Sequence, residues 1–163
     1  MDSLYLLGPG MNTLSLDLPT SPVIINLSSS SGYIIADGKD TATLSASVLN
    51  VDNTPVTNNP VLFSIISGNG TISQNTVNTD FGGNAVITLD TTVVGNITIN
   101  ASSIVDGVKY QSNNVAIIAT PDLNGMTISD LSVTPGLAVV GNNIVISGHL
   151  LDGNDFPVPN VPV

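Results

Sequence analysis

The chain has 163 residues, a formal net charge of −10 and no cysteine. Its acidic residues are all Asp, Arg is absent, and Lys39 and Lys109 carry the only positive side chains. That balance argues against nucleic acid and anionic lipid as partners, since both need clustered Lys or Arg, and it rules out disulfides and thiolate metal sites. A hydrophobic content of 42% is ample for a packed core, and the richness in Val, Ile, Thr, Ser and Asn, without Glu or Arg, points to strands over long helices. The class is all-β. No apolar run approaches the roughly 20 residues of a membrane-spanning helix, so no membrane insertion is expected. The first ten residues lack the basic region and apolar run of a secretory leader.

Taken in order, residues 1–20 form an extension. Gly8-Pro9-Gly10 breaks it, and Leu14, Leu16 and Leu18 then alternate with Ser15 and Asp17 as in a strand without an obvious partner. A complete module is predicted over residues 21–120. It opens with Val23, Ile25 and Leu27 at inward spacing, breaks over 28–32, and continues along the edge at 33–36. The strand after Asp40 is the clearest in the chain: Ala42, Leu44, Ala46 and Val48 point one way, and Thr43, Ser45 and Ser47 the other. Further inward sets follow at Val61, Phe63 and Ile65, at Ala85, Ile87 and Leu89, and at Ile97, Ile99 and Ala101. Asp106-Gly107 closes a hairpin, and Val115, Ile117 and Ala119 end the module. Short strands separated by turn signals fit an antiparallel sandwich.

Residues 121–126 are a linker, and residues 127–163 begin again. Pro157 lies 102 positions after Pro55, and at that shift PVTNNPV becomes PVPNVPV without a gap. Ile144, Ile146, Gly148 and Leu150 take the places of the inward row of the earlier strand. The expectation is a partial second module with one inner face uncovered.

Three ordered motifs carry a family resemblance. They are ADGKDTATLSA at 36–46, Pro55-Val56 followed by PVLF at 60–63, and TDFGGNAVITL at 79–89. In sequence and spacing they resemble the bacterial Ig-like domains of the invasin and intimin type. The resemblance covers 21–120, and its opening half recurs from 127. It implies an Ig-like β-sandwich and a non-enzymatic stalk or adhesive unit on the cell surface, outside the cell. The implied partners are neighbouring modules, copies of itself, and a host or cell-surface receptor. The family has no shared catalytic residues to transfer.

The residues themselves offer little chemistry. His149 is the only histidine and falls at an outward strand position, and Asp80-Phe81-Gly82 reads as a turn. Asp152, Asn154 and Asp155 are the densest group of oxygen donors and the candidate structural calcium site. They lack the spacing of an EF-hand, Asp and Asn are ordinary turn formers, and no cofactor is required. Lys39 and Lys109 are the only donors for an isopeptide crosslink, and Lys39 sits in a turn. Sequons occur at Asn26, Asn69, Asn96 and Asn100, the last two on the outward face of one strand where a glycan would fit.

Two alternatives belong to other classes. In a filament or virion subunit, the strand at Leu14, Leu16 and Leu18 of one copy would complete the unfinished module of the next. In a carbohydrate-binding module, Tyr5, Tyr33 and Tyr110 would be the stacking candidates, in a chain without Trp.

Overall fold

The structure, a computed structural model, describes residues 23–134, 136–137 and 139–158. Leu14, Leu16, Leu18 and Tyr5 lie outside those residues. Twelve strands and no helix occur among the described residues. In chain order they are β1 (Val23–Ser29), β2 (Tyr33–Ile35), β3 (Ala42–Asn50), β4 (Pro60–Ser67), β5 (Thr71–Ile72) and β6 (Thr76–Asn78). Then come β7 (Asn84–Asp90), β8 (Gly95–Val105), β9 (Val108–Gln111), β10 (Val115–Thr120), β11 (Thr127–Thr134) and β12 (Val145–Leu151).

The first ten strands make two sheets. One has four strands in the order β1-β3-β7-β5; the other has six, running β2-β10-β8-β4-β6 with β9 also paired to β8. The alternation in β3 sets the inner face, because successive side chains in a strand leave on opposite sides. Ala42, Leu44, Ala46 and Val48 are fully buried, and β1 and β7 add Ile25, Leu27, Ile87 and Leu89 to the same layer. The facing sheet contributes Val61 and Phe63 from β4, Ile97, Ile99 and Ala101 from β8, and Ile117 from β10. Each large aliphatic side chain in that seam contributes about 1.5–3 kcal/mol relative to an exposed one. This is an antiparallel Ig-like β-sandwich, with one exception to its pairing.

The exception is β2, which pairs in parallel with β10 while β1 pairs with β3 in the opposite sheet. The edge predicted to continue at residue 33 therefore changes sheets at 30–32. Gly32 O accepts from Ile118 N, and Ala36 N donates to Thr120 O. A strand that crosses over closes one side of the sandwich and places Ile34 and Ala36 in the core. The exposed rim of β1 is held by a side chain: Asn113 Oδ1 accepts from Leu27 N at 2.9 Å, and its Nδ2 donates to Leu27 O at 2.9 Å. One amide side chain thus stands in for a neighbouring strand.

Among the described residues, β11 and β12 pair only with each other. Their register has an irregularity between Ser129 and Ser132, where Asp130 adopts φ 53. That bulge brings Ile128 and Leu131 to the same side of the pair, over Gly148.

Candidate functional site

The joint between β10 and β11 (121–126), where the candidate oxygen donors of 152–155 lie, and the face of β11–β12 are the places with functional potential. The joint is built by a turn that occurs twice. After β3, Asn50 N donates to Thr54 O, Asn53 N to Asn50 O, and Val56 N to Val48 O. After β12, at the same spacing, Asp152 N donates to Phe156 O, Asp155 N to Asp152 O, and Val158 N to Leu150 O. Asn53 (φ 64) and Asp155 (φ 65) take the same left-handed conformation, which Asn and Asp tolerate better than most residues. Bridges pair Leu49 with Pro55 and Leu151 with Pro157. The two turns superpose in hydrogen bonding down to individual donors.

Their residues differ at all five places from 50 to 54, and so do their side-chain caps: in the first turn Asp52 Oδ1 accepts from Thr54 N at 3.1 Å. Asn50 turns its amide to its own loop, donating to Thr54 Oγ1 at 2.9 Å. Asp152, at the equivalent place, is 1% exposed and accepts through Oδ1 from Asn154 N and Phe156 N, both at 2.9 Å. Its Oδ2 accepts from Asp122 N at 3.3 Å, and Gly153 N donates back to Asp122 O at 3.0 Å. Asn154 Nδ2 also reaches Asp122 Oδ2 at 3.4 Å. Burial raises the pKa of Asp152, but the N–H groups of Phe156, Asn154 and Asp122 together lower it by more, while the charge of Asp37 opposes them. The carboxyl is held below its ordinary value of 3.8. Its cover is the turn and the linker at the molecular periphery, not the core.

Beside the joint, Phe156 and Pro157 share a cavity of about 260 Å³ with Thr92, Val93 and Val94 of the β7–β8 loop. On the other element, Ile128, Leu131, Ile146 and Leu150 line a groove of about 200 Å³. Ile146 is 61% exposed, whereas Leu44, 102 positions earlier, is fully buried. Of the expected inward row, Ile144 and Ile146 are therefore exposed among the described residues, whereas Gly148 lies under Ile128 and Leu131 and Leu150 is half-buried.

A family model for the bacterial Ig-like domain (group 1) matches residues 24–120. The chain belongs to this bacterial Ig-like family. It is 30% identical over 156 residues to the inverse autotransporter adhesin YeeJ of Escherichia coli strain K12, an alignment covering 93% of this chain and 6% of that protein. A C-terminal fragment of intimin, solved in complex with the intimin-binding domain of the translocated intimin receptor, matches with 25% identity and a TM-score of 0.51. That alignment covers 69% of this chain and 37% of the fragment. Invasin, described as a bacterial integrin-binding protein, shares the fold with a TM-score of 0.58 at 21% identity, over 85% of this chain and 28% of its own. The chain thus spans only a small part of the curated relative that it matches.

In this Ig-like member the residues singled out from sequence are dispersed. His149 is exposed on β12, and Asp80 is a turn residue whose Oδ1 accepts from Gly82 N and Asn84 N, both at 2.8 Å. Both lysines are exposed, Tyr33 is 68% exposed and Tyr110 is half-buried. No group of three or more His, Cys, Asp or Glu side chains is placed to hold a metal among the described residues. Asp152, Asn154 and Asp155 do sit in one turn, but the Asp152 carboxylate is directed at backbone N–H groups.

The sequons need one correction. Asn26, Asn69 and Asn96 are exposed, but Asn100 is 7% exposed and does not offer its amide to a glycan. It lies mid-strand in β8, which has β4 on one side and β9 and β10 on the other, and the flanking side chains shade its short one. Alternation correctly assigns Asn100 a side of the strand but says nothing of depth. Sequence reasoning names Asp152 as a calcium candidate and not as a partner of the 121–126 segment, and it does not single out the clamping Asn113.

Proposed function

We propose that the chain is a structural and adhesive Ig-like unit of an extracellular cell-surface protein, serving as a stalk or repeat segment. The observation that supports it best is the adhesin alignment, which runs on past residue 120 and so extends over β11–β12 as well as the sandwich. On this reading residues 21–120 are one module, 121–126 a linker, and 127–163 the start of a second. Antiparallel pairing then bears load along the chain, and Ser, Thr and Asn meet water on the outer faces. Neighbouring modules are the immediate partners, and a host or cell-surface receptor is the distal one.

Brief trypsin-free proteolysis of intact cells, with an enzyme suited to a lysine-poor chain, tests the location. Release of peptides from 23–158 before any cytoplasmic marker supports the reading. Release only after lysis contradicts it.

One observation favours a second reading, the uncovered apolar face of β11–β12. It suits a filament in which an extended segment of a neighbouring copy, that at Leu14, Leu16 and Leu18, covers the groove by strand addition. Assembly seen by light scattering and abolished by deleting residues 1–18 supports that reading; unchanged assembly contradicts it.

A further inference from the structure

We propose that Asp152 is an orientation lock: its carboxylate and the amide of Gly153 grip Asp122 and hold the β11–β12 pair at a fixed angle to the sandwich. This goes beyond the stalk reading but rests on its assignment of 127 onward to a second unit. The linker 121–126 is otherwise a poor candidate for stiffness. It has no strand pairing of its own, and Gly125 sits at φ 76.

Two features show that the grip is built and not incidental. The first is reciprocal hydrogen bonding at a single residue. Asp122 donates its N–H to Asp152 and accepts at its carbonyl from Gly153, so both backbone groups of one linker residue are held by the turn. The second is close approach. A Cβ on Gly153 would come within 1.8 Å of Asn124 O and 3.2 Å of Asp122 Oδ2, so the linker lies directly on this glycine. No left-handed φ applies there, so the requirement for Gly comes from the linker alone.

The earlier turn supplies the internal control. With Asn50 in place of Asp152 it makes the same backbone hydrogen bonds, donates its side-chain amide to Thr54 Oγ1, and takes its carboxylate cap from Asp52, which accepts from Thr54 N. An Asn at this position is therefore compatible with the turn. In Asp152→Asn, one side-chain oxygen can still accept from Asn154 and Phe156, while the amide NH₂ would face the N–H of Asp122, donor against donor. The substitution keeps the turn and removes the lock.

The absence of native cysteine allows the angle to be measured directly. Spin labels at Val86→Cys on the outer face of β7 and His149→Cys on β12, both exposed positions, report the distance between the two elements by pulsed electron resonance. The full chain should give a single narrow distribution. Asp152→Asn and Gly153→Ala should each broaden it, and the Asp122 amide should exchange about tenfold faster, as expected for loss of one charge-assisted hydrogen bond. An equally broad distribution in the unsubstituted chain overturns the lock, as does an unchanged narrow one in both variants. The two levels separate by amide protection. Unprotected β11 and β12 amides in the unsubstituted chain defeat the second-unit reading and the lock with it. Protected amides with an insensitive distance defeat the lock alone.

Discussion

The strand pairs β1–β3 and β11–β12 are two versions of one piece of structure. Each is antiparallel, each ends in the same hydrogen-bonded turn, and β3 and β12 carry apolar side chains at matching positions. Yet Ala42, Leu44, Ala46 and Val48 are fully buried, while at the matching places Ile144 is 47% exposed, Ile146 is 61% exposed and Leu150 is half-buried. The difference lies outside both pairs. β1–β3 is roofed by β8, β10 and β4, and no described strand lies across β11–β12. A pattern of alternating residues thus specifies a strand and its dry side, but dryness is conferred by a second sheet.

Substitutions at matched positions sharpen this contrast most strongly. Leu44→Ala leaves a cavity between two sheets and should cost about 2–5 kcal/mol by denaturant titration. Ile146→Ala removes a side chain that is already in solvent, and should change the same transition by less than about 0.5 kcal/mol. Equal effects at the two sites would break the comparison. The next effect concerns how β1 is held. Asn113→Ala removes both hydrogen bonds to Leu27 and should cost about 1–3 kcal/mol, with faster amide exchange along β1 and little change in β8. An unaltered β1 would show that pairing with β3 alone secures the edge.

Acid acts on both turns on a smaller scale, through Asp52 in the first and Asp152 in the second. Because the folded-state pKa of Asp152 is depressed, the stability it adds is present above the ordinary carboxylate pKa of 3.8. It is lost as pH falls through the lower, folded value. The earlier turn titrates too, through Asp52, whose carboxyl the Thr54 hydroxyl and N–H hold below 3.8, so the two are told apart by substitution: Asp152→Asn should remove the acid shift of the Gly153 and Asp122 amides in an NMR titration and leave that of the Thr54 amide in place. An acid shift of the Gly153 and Asp122 amides that survives Asp152→Asn would contradict the assignment to that carboxylate. The smallest effect should come from the reciprocal exchange Asn50→Asp, within about 0.5 kcal/mol by thermal melting, because it leaves the turn's backbone bonds in place.

Much of this architecture was legible from residue order alone, for identifiable reasons. The row Ala42, Leu44, Ala46 and Val48 marks an inner face because the strand period is two, and Pro55 and Pro157 mark the repeat because each closes the same turn. The crossing of β2 was not legible. Tyr33–Ile35 is too short for its alternation to say which of two sheets it joins, and that depends on the register of β10. Depth was equally hidden: Asn100 reads as an outward polar residue, but the strands flanking β8 shade it to 7%. At the joint, Asp152 looked like any turn aspartate because its distinguishing partner, Asp122, lies thirty positions away. Family membership followed from three motifs in order, whereas the two clamping side chains, Asn113 and Asp152, belong to no motif.

Amide hydrogen exchange, read strand by strand on the unsubstituted chain, tests the central contrast most directly. The account predicts slow, near-global protection for β3, β7 and β8 and distinctly faster exchange for β11 and β12, whose hydrogen bonds have a roof on neither side. Protection of β12 equal to that of β3, or rapid exchange throughout β3, would contradict it.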